Sequence, residues 1–457
     1  MKERKNKRST FSDKIGFVLA AAGASVGLGN IWRFPYLAAK YGGGIFLLVY
    51  IVLALTFGYA MIMAETSLGR MTGKSPVGAY QAFGTSKWRS LGGWINAVIP
   101  ILIVPYYSVI GGWVIKYLVE YLMGHGHQLA ADGYFSAFIS SGVSTEVCFV
   151  VFALFTLAII FAGVRNGIER VSKIMMPILV VLSLVIAVYS VTRPGALAGV
   201  KYFLVPNFQD FSWMTVVSAM GQVFYSLSIA MGILITFGSY MKKDVSIEGS
   251  TRNVEIFDTA IAIMAGLMII PAVFVFSGGS AENLKAGPSL MFITIPKVFA
   301  SMGMGTVVGI LFFLLVLFAA VTSSIALTES AVSTFEDEFG WGRRKATVIV
   351  GIVMLALGSL SSLGYGPLAG VTIIDMQFLD FFDFLTNSVM MPIAAIATCL
   401  LVSKVVGVDA IEQEVTLEGG TFRRKKVFCV MIRYICPIFA VIILLSSVAN
   451  AFGLIAM

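Results

Sequence analysis

Two short stretches of this 457-residue chain carry residue types that the apolar sequence around them does not need. Ala22-Gly23-Ala24-Ser25-Val26-Gly27-Leu28-Gly29-Asn30 packs three glycines and two polar side chains into nine positions. Ser226-Leu227-Ser228-Ile229-Ala230-Met231-Gly232 sets two serines and a glycine inside an apolar run. Hydrocarbon offers no hydrogen-bond partner, so a helix that unwinds there must be buried in protein or line a cavity. Its freed carbonyls are oxygen ligands for a sodium ion, and the N–H groups of a half-helix N-terminus attract an anionic group. Ordinary small-residue packing is the other reading of each stretch taken alone. Two carboxylates, Glu65 and Asp258, also fall within apolar segments, where an ionisable group is costly and functional by default. For Asp258 the alternative is a charge reaching towards the inner end of its helix.

Other chemistry is poorly supplied. His125 and His127 form an HxH without a third ligand, and Cys148, Cys399, Cys429 and Cys436 form no CxxC pair. No HExxH or phosphate-binding loop is present, so no catalytic residue is expected and the chain does not read as an enzyme.

The elements that must position these groups follow from composition. With 58% hydrophobic residues, 12% charged residues and a mean hydropathy of +0.91, the chain is not a soluble globular protein, in which about a quarter of residues are charged. Apolar runs of about 20 residues recur and define an all-α polytopic membrane protein. Breaks rich in Gly, Pro, Asn, Asp, Lys or Arg predict eleven spans at 12–38, 44–70, 91–123, 145–164, 167–191, 214–240, 253–278, 304–335, 345–363, 377–403 and 427–455. The positive charges sort by side. The tail, the Arg70–Arg89 loop, Arg165–Lys173, Lys242–Arg252, Arg343–Lys345 and Lys404–Arg433 all fall on one face, so the N-terminus is expected in the cytoplasm and the C-terminus outside. The net charge of +8 is therefore topological, and no nucleic-acid partner is expected.

The predicted organisation is a tail (1–11), a ten-helix core (12–403) made of repeats 12–191 and 214–403, a cytoplasmic connector (404–426), and an eleventh helix with an outer C-terminus (427–457). The two polar stretches then occupy the first and sixth spans, matching positions in two five-helix repeats of opposite orientation. Interrupted spans at matching positions point to the substrate site of a secondary transporter. A channel would instead show a repeated pore loop.

These residues resemble the neurotransmitter:sodium symporter family, with its LeuT-type inverted-repeat fold. The resemblance rests on Ala22–Asn30, followed by Ile31-Trp32-Arg33-Phe34-Pro35 and Gly42-Gly43-Gly44. It extends to Gly221–Ser228, Thr322-Ser323-Ser324 and Glu336-Asp337-Glu338, and the chain is similar to a bacterial branch with eleven helices. The resemblance implies one sodium site at the Ser25 carbonyl, Asn30, Ser226, Asp258 and the substrate carboxylate. Oxygen ligands of this kind suit a hard cation. It implies a second at the carbonyls of Gly23, Val26 and Ala319 with the hydroxyls of Thr322 and Ser323. In chloride-dependent members the anion lies near the positions of Tyr50, Gln222, Ser226 and a serine that is here Ala262. Asp258 is therefore expected to supply a fixed negative charge and to make chloride unnecessary.

The implied substrate site takes a carboxylate at the Leu28 and Gly29 N–H groups and the Tyr107 hydroxyl, and an ammonium near the carbonyls of Tyr225 and Ser228. Ala24, Ser25, Ile103, Tyr225, Ser226, Met231, Ser323 and Leu327 complete it. Ala24 stands where monoamine carriers hold an acid, so a zwitterionic, neutral, hydrophobic L-amino acid is expected. The Ala230 methyl is expected to narrow the pocket against aromatic side chains. Arg33 with Asp383, or alternatively Asp380, resembles an outer gate lidded by Tyr107 and Tyr225; Arg8 with Asp337 and Tyr240 resembles an inner one. Independently of the family, Gly167 and Pro177 in the fifth span read as a kink or as a hinge that unwinds when the inside opens. Glu65 is expected to brace the unwound helices. The function implied is sodium-coupled symport in a bacterial plasma membrane, with a sodium-dependent sensor as the alternative.

Overall fold

The computed structural model describes residues 9–84, 86–278 and 288–453, almost wholly as helix. Among these residues, nine helices are long and apolar enough to cross a membrane. They are helix 2 (Gly44–Thr72), helix 3 (Lys87–Leu122), helix 4 (Gly142–Phe161), helix 5 (Val164–Val191), helix 7 (Ile247–Phe276), helix 8 (Gly305–Phe339), helix 9 (Arg343–Leu363), helix 10 (Phe378–Val406) and helix 11 (Lys425–Ala451). A pair, Lys14–Ser25 and Gly29–Lys40, bends by 53° at its break and forms helix 1. Helix 6 is likewise two pieces, Trp213–Ser226 and Ile233–Ser239. The eleven expected spans are thus all present, with ends displaced by a few residues.

The connections hold short helices that lie outside the predicted spans. Tyr134–Ser140, Ala196–Leu204, Leu290–Ala300 and Val408–Val415 are all too short to cross a bilayer. Burial orders the bundle. The apolar windows of helices 3 and 8 are 78% and 72% buried inside the protein, whereas those of helices 5 and 11 are 33% buried and face lipid. Helices 1 and 6 therefore run through a protein interior, which is what their breaks require.

Each break has a local cause. Asp13 caps helix 1 by accepting the Gly16 N–H at 2.7 Å, and the helix ends where Ser25 gives way to Val26-Gly27. Helix 6 opens with a reciprocal cap between Ser212 and Thr215. It ends at Ser226, beyond which Ser228, Ala230 and Gly232 take φ values of 53°, 59° and 69°. A non-glycine residue held there stores of order 1–3 kcal/mol and persists only when its surroundings enforce it.

The second half of helix 6 is wedged against helix 2 at backbone distance. A Cβ on Gly69 would lie 1.9 Å from the Ile235 carbonyl oxygen, and one on Gly238 would lie 2.4 Å from that of Thr66. Since backbone cannot swing aside as a side chain can, Gly69→Ala is expected to force the helices apart at about 1–3 kcal/mol. Thermal denaturation of the detergent-purified variant should show a fall in Tm of several degrees. An unchanged Tm would contradict this packing.

Candidate functional site

Helix 7 carries the Asp258 carboxylate into the first oxygen cluster. Its Oδ1 accepts from Asn30 Nδ2 at 2.8 Å and from the Ser226 hydroxyl at 2.6 Å. Its Oδ2 accepts the Tyr50 hydroxyl at 2.6 Å, and Tyr50 and Ser226 lie 3.2 Å apart. Asp258 is fully buried, so these donors replace the water that would otherwise solvate it. It does not reach towards the helix end. Ala262, one turn on, is buried and brings no hydroxyl.

The backbone released by the two breaks is held by side chains from elsewhere. Glu65 Oε1 accepts the Ala230 N–H at 2.8 Å, as expected of a brace. Gln222 Nε2 donates to the Gly29 carbonyl at 3.1 Å, and the Ser228 hydroxyl donates to the Ala24 carbonyl at 2.9 Å. Asn30 Oδ1 accepts from the Gly27 N–H at 3.3 Å, and the Tyr107 hydroxyl accepts the Leu28 N–H at 3.4 Å.

Between the breaks lies a small cavity. Ala24, Ser25, Leu28, Gly29, Ile103, Tyr107, Tyr225, Ser226, Ser228, Met231, Ser323 and Leu327 all line it, joined by Asn30 and by Gly27, which sequence reasoning did not single out. Gly27 sits inside the stretch that was flagged, but nothing in its residue type distinguished it from Gly23, which faces helix 8. Ala230 is not on the cavity wall; its left-handed backbone directs its N–H to Glu65. The expected narrowing by its methyl is therefore corrected.

A second oxygen cluster joins helices 1 and 8. The Ser323 hydroxyl donates to the carbonyls of Gly23 and Ala24, each at 3.2 Å, while Thr322 Oγ1 donates to those of Phe318 at 3.0 Å and Ala319 at 3.2 Å. Gly23 meets the Thr322 side chain so closely that a Cβ there would lie 3.1 Å from Thr322 Cβ. Val26 closes helix 1 by donating its N–H to Ala22 O at 2.7 Å. These hydroxyls keep lone pairs for a cation when their protons turn away. Both clusters are rich in oxygen, the donor type that a hard cation takes.

The expected gate residues are only partly brought together. Arg33 lies over the Tyr225 ring at 5.3 Å, and among the described residues no ion pair joins it to Asp383 or Asp380. Asp383 accepts from Asn387 at 2.6 Å and Asp380 from the Tyr365 hydroxyl at 2.9 Å. On the inner side, Arg8 lies outside the described residues. Asp337 accepts the Ser75 N–H at 2.6 Å, and Tyr240 donates to Glu329 at 2.7 Å. Glu329 is fully buried and paired with Arg343 at 2.6 Å, a network that sequence reasoning missed because its members are spread over three helices.

The N-terminal segment is strapped across this side. Phe11 packs edge-on against Phe17, Phe237 and Tyr240, and its N–H bonds to the Tyr240 carbonyl at 3.1 Å. Ser12 hydrogen-bonds to Glu169 through both its N–H and its hydroxyl, and Lys173 bonds both Glu169 and Asp13. The Gly16 N–H, with Lys173, holds the Asp13 carboxyl below the usual range. Gly167 falls in a π-helical turn, Val164–Glu169, and Pro177 within the α-helix that follows, so helix 5 is wound throughout. His125 is not simply solvated: it contacts Glu120 at 2.7 Å.

Comparison with known proteins agrees with this architecture. The profile of the Sodium:neurotransmitter symporter family matches residues 8–130 and 135–454. The chain is 33% identical over 444 residues to an uncharacterized sodium-dependent transporter of Bacillus subtilis (strain 168), YhdH, covering 96% of this chain and 97% of that protein. It is 26% identical to the sodium- and chloride-dependent glycine transporter 2 of Xenopus laevis over 73% of this chain and 51% of that one. Among solved structures, MhsT in complex with L-phenylalanine superposes with a TM-score of 0.86 at 35% identity, covering 96% of this chain and 100% of MhsT. The chain therefore belongs to the sodium:neurotransmitter symporter family, as a multi-pass, sodium-dependent transporter with the LeuT-type fold.

Proposed function

We propose that this protein couples the inward movement of sodium to that of a neutral, hydrophobic L-amino acid by alternating access. The observation that carries the substrate class is the cavity between the breaks. Its walls are largely apolar, no side-chain acid lines it to pair an isolated amine, and Leu28 and Gly29 line it where a carboxylate would be received. L-phenylalanine in the related MhsT structure supports an aromatic side chain as readily as an aliphatic one, now that Ala230 stands off the wall.

Two sodium ions travel as co-substrates in this reading. One is taken by the Ser25 carbonyl, Asn30, Ser226 and Asp258 together with the substrate carboxylate; the other by Gly23, Val26, Ala319, Thr322 and Ser323. An ion bridging protein and substrate makes the two bind with mutual reinforcement, because each completes the other's site. Asp258 supplies the negative charge that balances the first ion, so chloride is not required. The N-terminus lies in the cytoplasm, as the distribution of Lys and Arg supports. The core 12–403 performs transport, with repeats 12–191 and 214–403, while 404–426 connects it to the eleventh helix and outer end at 427–457. The outer path closes over Tyr107 and Tyr225 as Arg33 moves from the Tyr225 ring to Asp383. The inner path opens as the Phe11–Asp13 strap leaves Glu169 and Tyr240, and as Arg8 leaves Asp337. Gly167 and Pro177 then let the inner end of helix 5 unwind, admitting water to the second ion.

Proteoliposomes with an inward sodium gradient are expected to accumulate a radiolabelled neutral amino acid such as leucine or phenylalanine. Asn30→Ala, which removes a ligand and the bond to Asp258, should abolish accumulation, at least a tenfold loss of initial rate. Binding without accumulation would mean a sensor, and an absent sodium effect would refute the ion assignments. Replacing chloride by gluconate should leave uptake within the error of the assay; a strict chloride requirement would remove the role given to Asp258. For helix 5, hydrogen exchange in sodium-free buffer should be faster at 167–177 than in sodium and slowed by Pro177→Ala. Identical exchange in the variant would leave a static kink.

A further inference from the structure

A second cavity, larger than the one between the breaks, lies apart from it. A space of about 700 Å³ opens at the end of helix 7 nearest the N-terminal strap, between helix 2, helix 7 and the segment entering helix 11, on a different face of helix 7 from Asp258. One wall is apolar, formed by Ile51, Leu55, Ile256, Ala260 and Ile263. Leu55 is 47% and Ile256 58% exposed, so this slot opens sideways, where the bilayer surrounds the bundle.

The charged end of the cavity is unevenly satisfied. Glu248 accepts three hydrogen bonds, from the Tyr59 hydroxyl at 2.9 Å and from the N–H groups of Arg423 and Arg424 at 2.8 and 3.0 Å. Glu255 is paired with Arg424 at 2.6 Å. Arg424 is further engaged by the Leu55 carbonyl at 3.1 Å, in the π-helical turn of helix 2, and by the Tyr59 ring at 3.6 Å. Both carboxylates and one arginine are thereby accounted for. The side chains of Arg252 and Arg423 are not: both residues are exposed on the cavity rim, and neither guanidinium makes a hydrogen bond or an ion pair within 4 Å among the described residues. The N-terminus of the 30-residue helix 7, with Ser246 and Gly249 on the cavity wall, adds its positive dipole end.

We propose that this cavity binds one anionic phospholipid, its phosphate between Arg252 and Arg423 and an acyl chain in the slot of helices 2 and 7. The two unpaired guanidinium groups and the helix terminus call for negative charge. The lipid-facing apolar slot distinguishes a phospholipid from a free anion, which has no use for it. The lipid would bridge helix 7, which bears Asp258, to helix 2 and to the connector before helix 11.

The test is native mass spectrometry of the full-length protein, delipidated in detergent and titrated with phosphatidylglycerol, phosphatidylcholine or inorganic phosphate. One phosphatidylglycerol is expected to be retained in preference to phosphatidylcholine, and inorganic phosphate should not displace it. Changing Arg252→Gln together with Arg423→Gln should weaken that binding by roughly 30-fold, the effect of two interfacial basic groups. Ala260→Phe, which fills the slot and keeps both arginines, should weaken it as well. Equal binding of phosphatidylcholine, displacement by inorganic phosphate, or unchanged affinity in either variant would overturn the proposal. Both variants alter exposed positions, so loss of binding with an unchanged Tm is not a failure to fold.

Discussion

The constraint on which this structure depends is that backbone freed from a helix at membrane depth must find polar partners inside the protein. Two spans are broken, and most of the side chains that hold them come from another segment: Glu65 from helix 2, Tyr107 from helix 3, and Gln222 and Ser228 of helix 6 reaching across to helix 1. Each bond substitutes for water that hydrocarbon cannot supply, at a place where an unmade bond costs the full desolvation of the group. The heavy burial of helices 3 and 8 follows from this need, since they wall the breaks from lipid. So does the arrangement of the lipid-facing helices, which carry little polar chemistry and enclose the rest.

The same constraint gathers the oxygens. The side chains of Ser226, Asn30 and Asp258 meet on one side, and on the other the Ser323 hydroxyl reaches the Gly23 and Ala24 carbonyls at the end of the first half-helix. The proposed ion positions are thus by-products of solving the hydrogen-bond problem of the breaks, and not separate inventions of the sequence. Asp258 illustrates the economy: one buried carboxylate takes donors from helices 1, 2 and 6 and ties both breaks to helix 7.

Much of this was legible in the sequence, and for identifiable reasons. The eleven spans could be read because apolar length and charged breaks are properties of contiguous residues, and the two interruptions because glycine and serine cluster within nine and seven positions. The cavity-lining set followed from matching those residues to a family pattern. The Tyr240–Glu329–Arg343 network and the bonds of Ser12 to Glu169 were not legible, since each depends on how helices far apart in the chain are rotated. The placing of Ala230 was missed for a backbone reason: a positive φ turns its methyl from the direction a helical residue would give it. The short helices in the connections carry no span-length signal, so their sequence looks like loop.

The glycine contacts between helix 2 and the second half of helix 6 have a mechanical meaning. Two surfaces separated by side chains can slide, because rotamers relax as the contact moves; two backbones in direct apposition behave as one keyed joint. In the proposed alternating access, helix 2 and that half-helix would travel as a single lever, with Glu65 pinning the lever to the break itself. Relative motion is left to the joints that side chains make, such as the aromatic seat of Phe11 against Phe237 and Tyr240. In that motion the seat would be the latch and the keyed glycines the rigid joint.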